Sequence, residues 1–217
     1  KLKPGAAVVF EQGGVQLHGE VLARHFRGRR TIRLWSADRS VSEAIEQIGH
    51  IPLPPYIARP DEQSDRERYQ TVYARAPGSV GAPTAGLHFT SPVLEDLQAR
   101  GIETTAITLH VGYGTFKPVR VEQIEEDEVD PESYTISAST ADALTKAIRE
   151  HRRIIAVGTT TTRALESLTV DADGQVHPSD ASTSLFIRPE HHFRVVQGLI
   201  TNFHLPKSSL LMLVAAF

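Results

Sequence analysis

The chain has no cysteine, one methionine and one tryptophan among 217 residues, and aromatic side chains make up only 6%. The missing thiols exclude disulfides, thiolate nucleophiles, Cys-ligated zinc and iron–sulfur clusters in one step. A cytosolic enzyme without sulfur chemistry of its own fits that composition, so the expected localisation is cytoplasmic. No apolar run reaches the roughly 18 residues a membrane span needs. The most apolar segment, Leu205 to Phe217, is shorter and carries Lys207. No charged-then-apolar leader is visible, so no secretory signal is expected. The net charge is only −3, from 23 basic and 26 acidic residues. That is not the balance of a protein that coats nucleic acid over its whole surface.

What is present is an ordinary globular composition, 40% hydrophobic and 23% charged, long enough to bury a sizeable core. The charge is unevenly spread. Residues 1–40 hold eight Lys or Arg against three acids, a local +5, and the remainder is therefore −8. A basic end on an acidic body points to an anionic partner for that end, or to an edge strand guarded by arginines.

Three β-rich runs, Ala6–Phe10, Val15–Leu22 and Thr31–Trp35, are separated by Pro4-Gly5, Gly13-Gly14 and Arg27-Gly28, and predict a small barrel or meander. A short helix is expected over Ser42–Ile48, with Ser42 as N-cap and Gly49 as the stop. Three prolines within Gly49-His-Ile-Pro-Leu-Pro-Pro-Tyr-Ile57 forbid helix and central strand, so this stretch reads as a rigid connector and domain boundary. Beyond it the pattern alternates. Strands are expected at Tyr69–Ala74, Ile102–Val111, Arg153–Val157, Ser184–Ile187 and Leu199–Ile200. Helices are expected from Thr90 to Arg100, Thr140 to Arg152 and Thr161 to Leu168. Such alternation implies a parallel or mixed sheet with helices against it.

Four segments hold residue types that can do chemistry. Gly78-Ser-Val-Gly-Ala-Pro-Thr-Ala-Gly-Leu-His-Phe-Thr90 is a glycine-rich loop before a helix, where backbone amides can approach a ligand. His88 stands at its end, as a site residue or as a packed or capping one. Leu109-His-Val-Gly-Tyr-Gly-Thr-Phe-Lys-Pro118 runs out of a strand, where ligands collect in open α/β sheets. It offers His110, Tyr113, Thr115 and Lys117, although His110 alternates with Leu109 and Val111 and also fits a core. Gly158-Thr-Thr-Thr-Thr-Arg163 is a glycine turn entering a helix, a geometry suited to a carboxylate, with Arg163 either forking onto it or facing solvent. The absent Gly-Lys-Ser/Thr ending rules out a nucleotide-hydrolase phosphate loop. Leu199 to Leu213 places Asn202, His204 and Lys207 on a loop entering an apolar helix. The His191-His192 pair lacks helical ligand spacing and any cysteine, so no metal is expected.

Together, Gly49–Ile57, Tyr69–Tyr73, Ala82–Phe89, Leu109–Phe116, Gly158–Thr160 with Arg163 and Glu166, and Leu199–Pro206 with the following Leu-Leu-Met-Leu-Val run resemble one family in its own order. It is the S-adenosylmethionine:tRNA ribosyltransferase-isomerase family of queuosine biosynthesis. The resemblance spans about residues 49–217. It implies an α/β fold, with a mixed-sheet, barrel-like large domain and a small antiparallel β-barrel domain present in part. Residues 1–45 would belong to the small domain and 46–217 to the large catalytic one.

The resemblance further implies transfer and isomerisation of the ribosyl part of S-adenosylmethionine onto 7-aminomethyl-7-deazaguanine in the tRNA anticodon. Epoxyqueuosine would form, and adenine and methionine would be released. S-adenosylmethionine would be a co-substrate, with no further cofactor and no metal. The partners implied are tRNA with a GUN anticodon and S-adenosylmethionine, without a membrane, for a monomer. The proton on the carbon beside the sulfonium needs a base, and His88, His110, His204 and Tyr113 are the candidates. Substrate contacts would fall on Thr84, Gly86, Phe89, Gly112, Gly114, Thr115, Phe116, Thr159, Thr160, Arg163, Glu166, Asn202 and Lys207. Phe89 and Phe116 would form the adenine slot. Arg27, Arg29 and Arg30 would meet the tRNA backbone.

Three departures stand out. Family chains are longer at both ends. Of the family's His-x-Met-His-x-Glu stretch only Glu132 corresponds. Pro189-Glu190-His191 replaces the usual Pro-Gly-Tyr. The contrasting reading is a catalytically silent relative that binds tRNA or S-adenosylmethionine.

Overall fold

The computed structural model describes residues 2–25, 28–54, 56–112, 129–204, 206 and 208–217. Contacts divide the chain into two compact units, Lys1–Ile51 and Pro52–Phe217.

In the first unit, β1 (Ala7–Gln12), β2 (Val15–Arg24) and β3 (Arg30–Trp35) form an antiparallel meander in that order. Gly13 and Gly14, with φ of +58° and +79°, close the β1–β2 hairpin and set Gln12 opposite Val15. Two successive left-handed residues are what a two-residue hairpin with the sheet's own twist demands. Along β2, Val15, Leu17 and Val21 turn inward while Gln16, Leu22 and Arg24 face out. The inward face meets α1 (Val41–Ile48), where Ala44 is buried and Val41, Ile48 and Leu34 pack around it. This helix on one face stabilises a sheet that would be marginal alone.

The cap of α1 is Ser40 rather than Ser42. Ser40 Oγ accepts from the Glu43 amide at 3.2 Å, and Glu43 accepts from the Ser40 amide at 2.9 Å. The spacing Ser40-Val-Ser-Glu43 is a capping box, and its reciprocal pair outcompetes a lone serine two residues later. No barrel closes among the described residues: the expected small barrel is an open three-stranded sheet.

The second unit contains α2 (Asp65–Arg68), a 3-10 turn (Thr84–His88), α3 (Ser91–Ala99), β4 (Thr108–His110), β5 (Glu132–Ile136) and α4 (Ala138–Arg149). After them come β6 (Ile155–Val157), α5 (Thr159–Glu166), β7 (Ser179–Thr183), β8 (Gly198–Ile200) and α6 (Ser209–Ala215). Among the described residues the expected barrel-like mixed sheet is instead two open sheets. One is antiparallel in the order β4-β5-β7, and the other is the parallel pair β6-β8. Tyr69–Ala74 forms turns rather than a strand, and the Ile102–Val111 strand shrinks to Thr108–His110. Ser184–Ile187 stays outside the sheet while Ser179–Thr183 pairs with β5. The Leu185 carbonyl instead accepts from the Arg163 side chain at 2.8 Å.

The core of this unit joins Tyr134 and Ile136 of β5, Ala141 and Leu144 of α4, Ala156 of β6, Ala164 and Leu165 of α5, and Val195 and Val196 before β8. Helix α4 starts at the Ser137 cap and turns Ala141, Leu144 and Ile148 toward it, the i, i+3, i+7 stripe of an amphipathic helix.

Helix α5 is buried along almost its whole length, charged residues included. Arg163 is 5% exposed and Glu132 of β5 is 4% exposed. The Arg163 guanidinium donates to Glu132 Oε2 at 2.8 Å, to the Leu185 carbonyl at 2.8 Å and to the Thr183 carbonyl at 3.3 Å. Burial pulls its pKa down and Glu132 opposes that pull. Beside the expectation that Arg163 grips a substrate carboxylate stands this finding: three of its five N–H groups are engaged inside the protein. Glu166, also expected to contact substrate, is engaged with backbone in the same way. Its carboxylate accepts from the amides of Arg194, Val195 and Val196 at 2.8–3.0 Å.

Two predictions follow from these charges. Arg163→Ala leaves Glu132 buried without its cation, and the expected cost is about 3–5 kcal/mol by chemical denaturation. Replacing both partners with neutral side chains of similar volume should recover most of that loss; a double variant as unstable as Arg163→Ala contradicts the ion-pair account. The second concerns Asp65, which accepts both arms of Arg59 at 2.7 and 2.8 Å and the Glu62 amide at 2.7 Å. The Arg59 bond and that amide hold its pKa down at about 2, against an ordinary 3.8. The unfolded chain therefore binds the proton first, so this stabilisation is complete above about pH 4 and lost as pH falls toward 2. Unfolding measured from pH 5 to 2 should show a shallower decline for Asp65→Asn than for the wild type.

Candidate active site

The loop from Gly78 to His88 is where the four chemistry-bearing segments meet. Its first part is tied to the end of β4. The amides of Val80 and Gly81 donate to the Val111 carbonyl at 3.0 and 3.3 Å, and Ser79 Oγ accepts from the Val111 amide at 2.9 Å. Gly78 has φ +126°, and a Cβ there would sit 3.2 Å from Cε1 and Nδ1 of His110. The His110 imidazole thus lies directly against the loop backbone.

The Tyr69–Tyr73 segment props up the second part of the loop. A Cβ on Gly86 would fall 2.4 Å from the Tyr73 hydroxyl and 2.8 Å from Thr71 Cγ2, so only glycine fits. Burial pushes the Tyr73 hydroxyl up, and pushes that of Tyr69, beside the Ala82 backbone, up to about 12. Both phenols stay protonated at neutral pH and serve as struts. The 3-10 turn closes with Gly86 donating to Pro83 and Phe89 donating to Gly86, at 2.7 and 3.1 Å. It presents His88 to solvent and leaves Thr84 and Phe89 half-buried.

The parallel pair β6-β8 supplies the other side. The Gly158 amide donates to the Ile200 carbonyl at 2.9 Å, so both strands end at one level. At φ +96° Gly158 turns the chain into α5, and a Cβ on it would be 4.0 Å from Ala85 Cβ in the 3-10 turn. No side chain caps this helix start, where Thr159 and Thr160 lie buried. Just past β8, Asn202 Oδ1 stands 3.0 Å from His88 Nε2. His204 Nε2 lies 3.1 Å from Thr201 Oγ1, and burial lowers the His204 pKa, favouring the neutral ring.

Of the residues expected from sequence, His88, Thr84, Gly86, Phe89, His110, Thr159, Thr160, Asn202 and His204 fall on this loop or on the strand ends that touch it. Gly112 follows the anchored Val111. Arg163 and Glu166 are engaged elsewhere. Tyr113, Gly114, Thr115, Phe116, Lys207 and Arg27 lie outside the described residues. In the small unit Arg29 is exposed, while Arg30 donates to the carbonyls of Leu2, Gly28 and Arg29. Sequence reasoning missed Phe203, which is fully exposed at 106%. An aromatic residue reads as core by default; the available signal was its place between Asn202 and His204 in a loop. Ser79 was also missed, since its anchoring of β4 depends on a partner 32 residues away.

The chain is 48% identical over all its 217 residues to the S-adenosylmethionine:tRNA ribosyltransferase-isomerase of Rhodospirillum rubrum, covering 62% of that protein. It therefore spans about three fifths of the length of this relative. The crystal structure of S-adenosylmethionine tRNA ribosyltransferase from Thermotoga maritima matches with 28% identity and a TM-score of 0.45, over 100% of this chain and 56% of that one. The sequence pattern of the family described as "Queuosine biosynthesis protein" runs through residues 1–217 without a break, and the chain belongs to that family.

Proposed function

We propose that this chain transfers the ribosyl part of S-adenosylmethionine to 7-aminomethyl-7-deazaguanine in a tRNA with a GUN anticodon and isomerises it to the epoxycyclopentanediol of epoxyqueuosine. It acts as a cytoplasmic monomer and consumes S-adenosylmethionine as co-substrate. The observation that carries the reading is that His110, Asn202 and the Gly158 turn into α5 each lie against the Gly78–His88 loop, with His204 two residues beyond Asn202.

The chemistry assigns roles to these groups. A sulfonium acidifies the adjoining 5′ carbon, so a neutral histidine can take its proton. His88 is exposed and reachable, which suits it to that task, whereas His204 is half-buried and bonded to Thr201. The uncapped amides at Thr159 and Thr160 suit the methionine carboxylate, now that Arg163 is engaged elsewhere. Phe203 and Phe89 offer flat apolar faces for the two nucleobases, the departing adenine and the deazaguanine. The basic end of the small sheet, with Arg24 and Arg29 exposed and Arg30 at the start of β3, suits a phosphate backbone; Arg27 of the same sequence run joins them in this reading.

The deciding measurement is adenine release from S-adenosylmethionine in the presence of substrate tRNA. Release is expected with the wild-type chain, and His88→Ala should slow it about 10²- to 10⁴-fold. Binding of both substrates without adenine release would instead identify a silent relative. For the tRNA surface, replacing Arg24 and Arg29 with Ala should reduce the slope of log affinity against log salt by about 1–2, at roughly 0.7–0.9 per lost phosphate contact. An unchanged slope would assign these arginines to guarding the sheet edge.

A further inference from the structure

We propose that Asn202 is the positioning residue of His88: its side-chain oxygen holds the imidazole by Nε2–H and leaves the Nδ1 lone pair as the free base. This rests on the reading of His88 as the group that takes the proton.

The contact spans 114 residues of sequence, from the 3-10 turn to the loop after β8, at 3.0 Å. Both of its ends stand on fixed backbone. His88 closes a turn with two internal hydrogen bonds, and the turn is wedged on Tyr73 and Thr71 through Gly86. Asn202 follows Ile200, whose carbonyl takes the Gly158 amide, and Thr201, whose hydroxyl meets His204. His88 is exposed, so water competes for its hydrogen bond and the pairing adds little to stability. What the pairing does supply is orientation.

A neutral imidazole carries one N–H and one lone pair, and a carboxamide oxygen can only accept. A bond from Nε2 to Oδ1 therefore places the proton on Nε2 and the lone pair on Nδ1. The reversed amide would donate to Nε2 and put the proton on Nδ1 instead. The two arrangements make opposite predictions about which nitrogen is basic. A carboxamide is also uncharged, so it aims the ring without the Coulomb attraction that a carboxylate would add to the imidazolium.

The test is a long-range proton–nitrogen correlation spectrum of the uniformly ¹⁵N-labelled chain, above the pH at which the ring titrates, combined with adenine-release kinetics. In the wild type His88 should show a protonated Nε2 and an unprotonated Nδ1. In Asn202→Ala the two nitrogens should move toward an averaged, mixed-tautomer signature. The turnover number should then fall about 10- to 100-fold, the range for loss of a partner that orients a histidine, while KM for S-adenosylmethionine stays within about twofold. Asn202→Asp keeps an acceptor oxygen at the same reach, and should retain the Nε2-protonated signature and recover turnover relative to the alanine variant. A wild-type ring protonated on Nδ1 overturns the proposal. So does an Asn202→Ala variant whose KM rises while turnover is unchanged, because Asn202 would then be touching substrate. If His88→Ala releases adenine at the wild-type rate, the base assignment fails, while the tautomer measurement stands on its own.

Discussion

Two opposite charges, three residues apart on one buried helix, hold the larger unit together. Arg163 reaches β5 through Glu132 and the end of β7 through the carbonyls of Thr183 and Leu185. Glu166, one turn further on, gathers the amides of Arg194, Val195 and Val196 just before β8. Residues i and i+3 share a face, so one helix surface is bonded both to the β4-β5-β7 sheet and to the segment that leads into β8. These are charge-assisted bonds in a dry interior, stronger than neutral ones and costly to leave half-made. With α5 fixed, its N-cap Gly158 is fixed as well, and Gly158 lies beside Ala85 of the 3-10 turn that carries His88. The exposed site is thus positioned by charges that never reach it.

That architecture explains which expectations held and which failed. The helix at Thr161–Leu168 and the strand before it were legible because a glycine turn between an apolar run and a threonine-rich start is a local signal. The destinations of Arg163 and Glu166 were not legible. Their partners lie 31 and 28 to 30 residues away in sequence, and whether an arginine forks onto a ligand or onto a buried glutamate is settled by that distant partner. Tyr69–Ala74 fails for a related reason. Its aromatic and β-branched composition suits a strand, but no neighbouring strand offers a ladder, and the tyrosines wedge beneath a loop instead. Strand ends and the site-forming segments were read from glycine and hydroxyl placement, which is local chemistry. The closing of a barrel was not, because sheet closure depends on pairings that periodicity does not encode.

The small unit was legible nearly throughout, since its determinants are short-range. Paired glycines fix the hairpin and so the register, and register fixes which residues share a row. Val9, His18 and Trp35 fall in one row on the outer face, where the His18 and Trp35 rings stack 5.9 Å apart. Glu20 and Arg33 fall in the next row and pair. That ion pair neutralises Arg33, and the carbonyl bonds of Arg30 occupy its N–H groups while leaving its charge in place. Among the described residues Lys3, Arg24 and Arg29 are exposed, and the two arginines stand at the end of the sheet where β2 leads to β3.

The three histidines at the site differ in how the fold treats them, and the differences sort their possible work. His204 is bonded to Thr201, and burial pulls its pKa down and favours the neutral ring. His110 sits with its Cε1–Nδ1 edge against Gly78, where the missing Cβ gives it room. His88 alone is exposed and held from one side by an uncharged partner, which leaves its other nitrogen open. A proton-transfer group needs a lone pair that a substrate can reach and a ring that does not rotate away. Burial would satisfy the second need at the expense of the first. A single hydrogen bond from a rigid loop satisfies both, and His88 is the histidine in which the fold makes that arrangement.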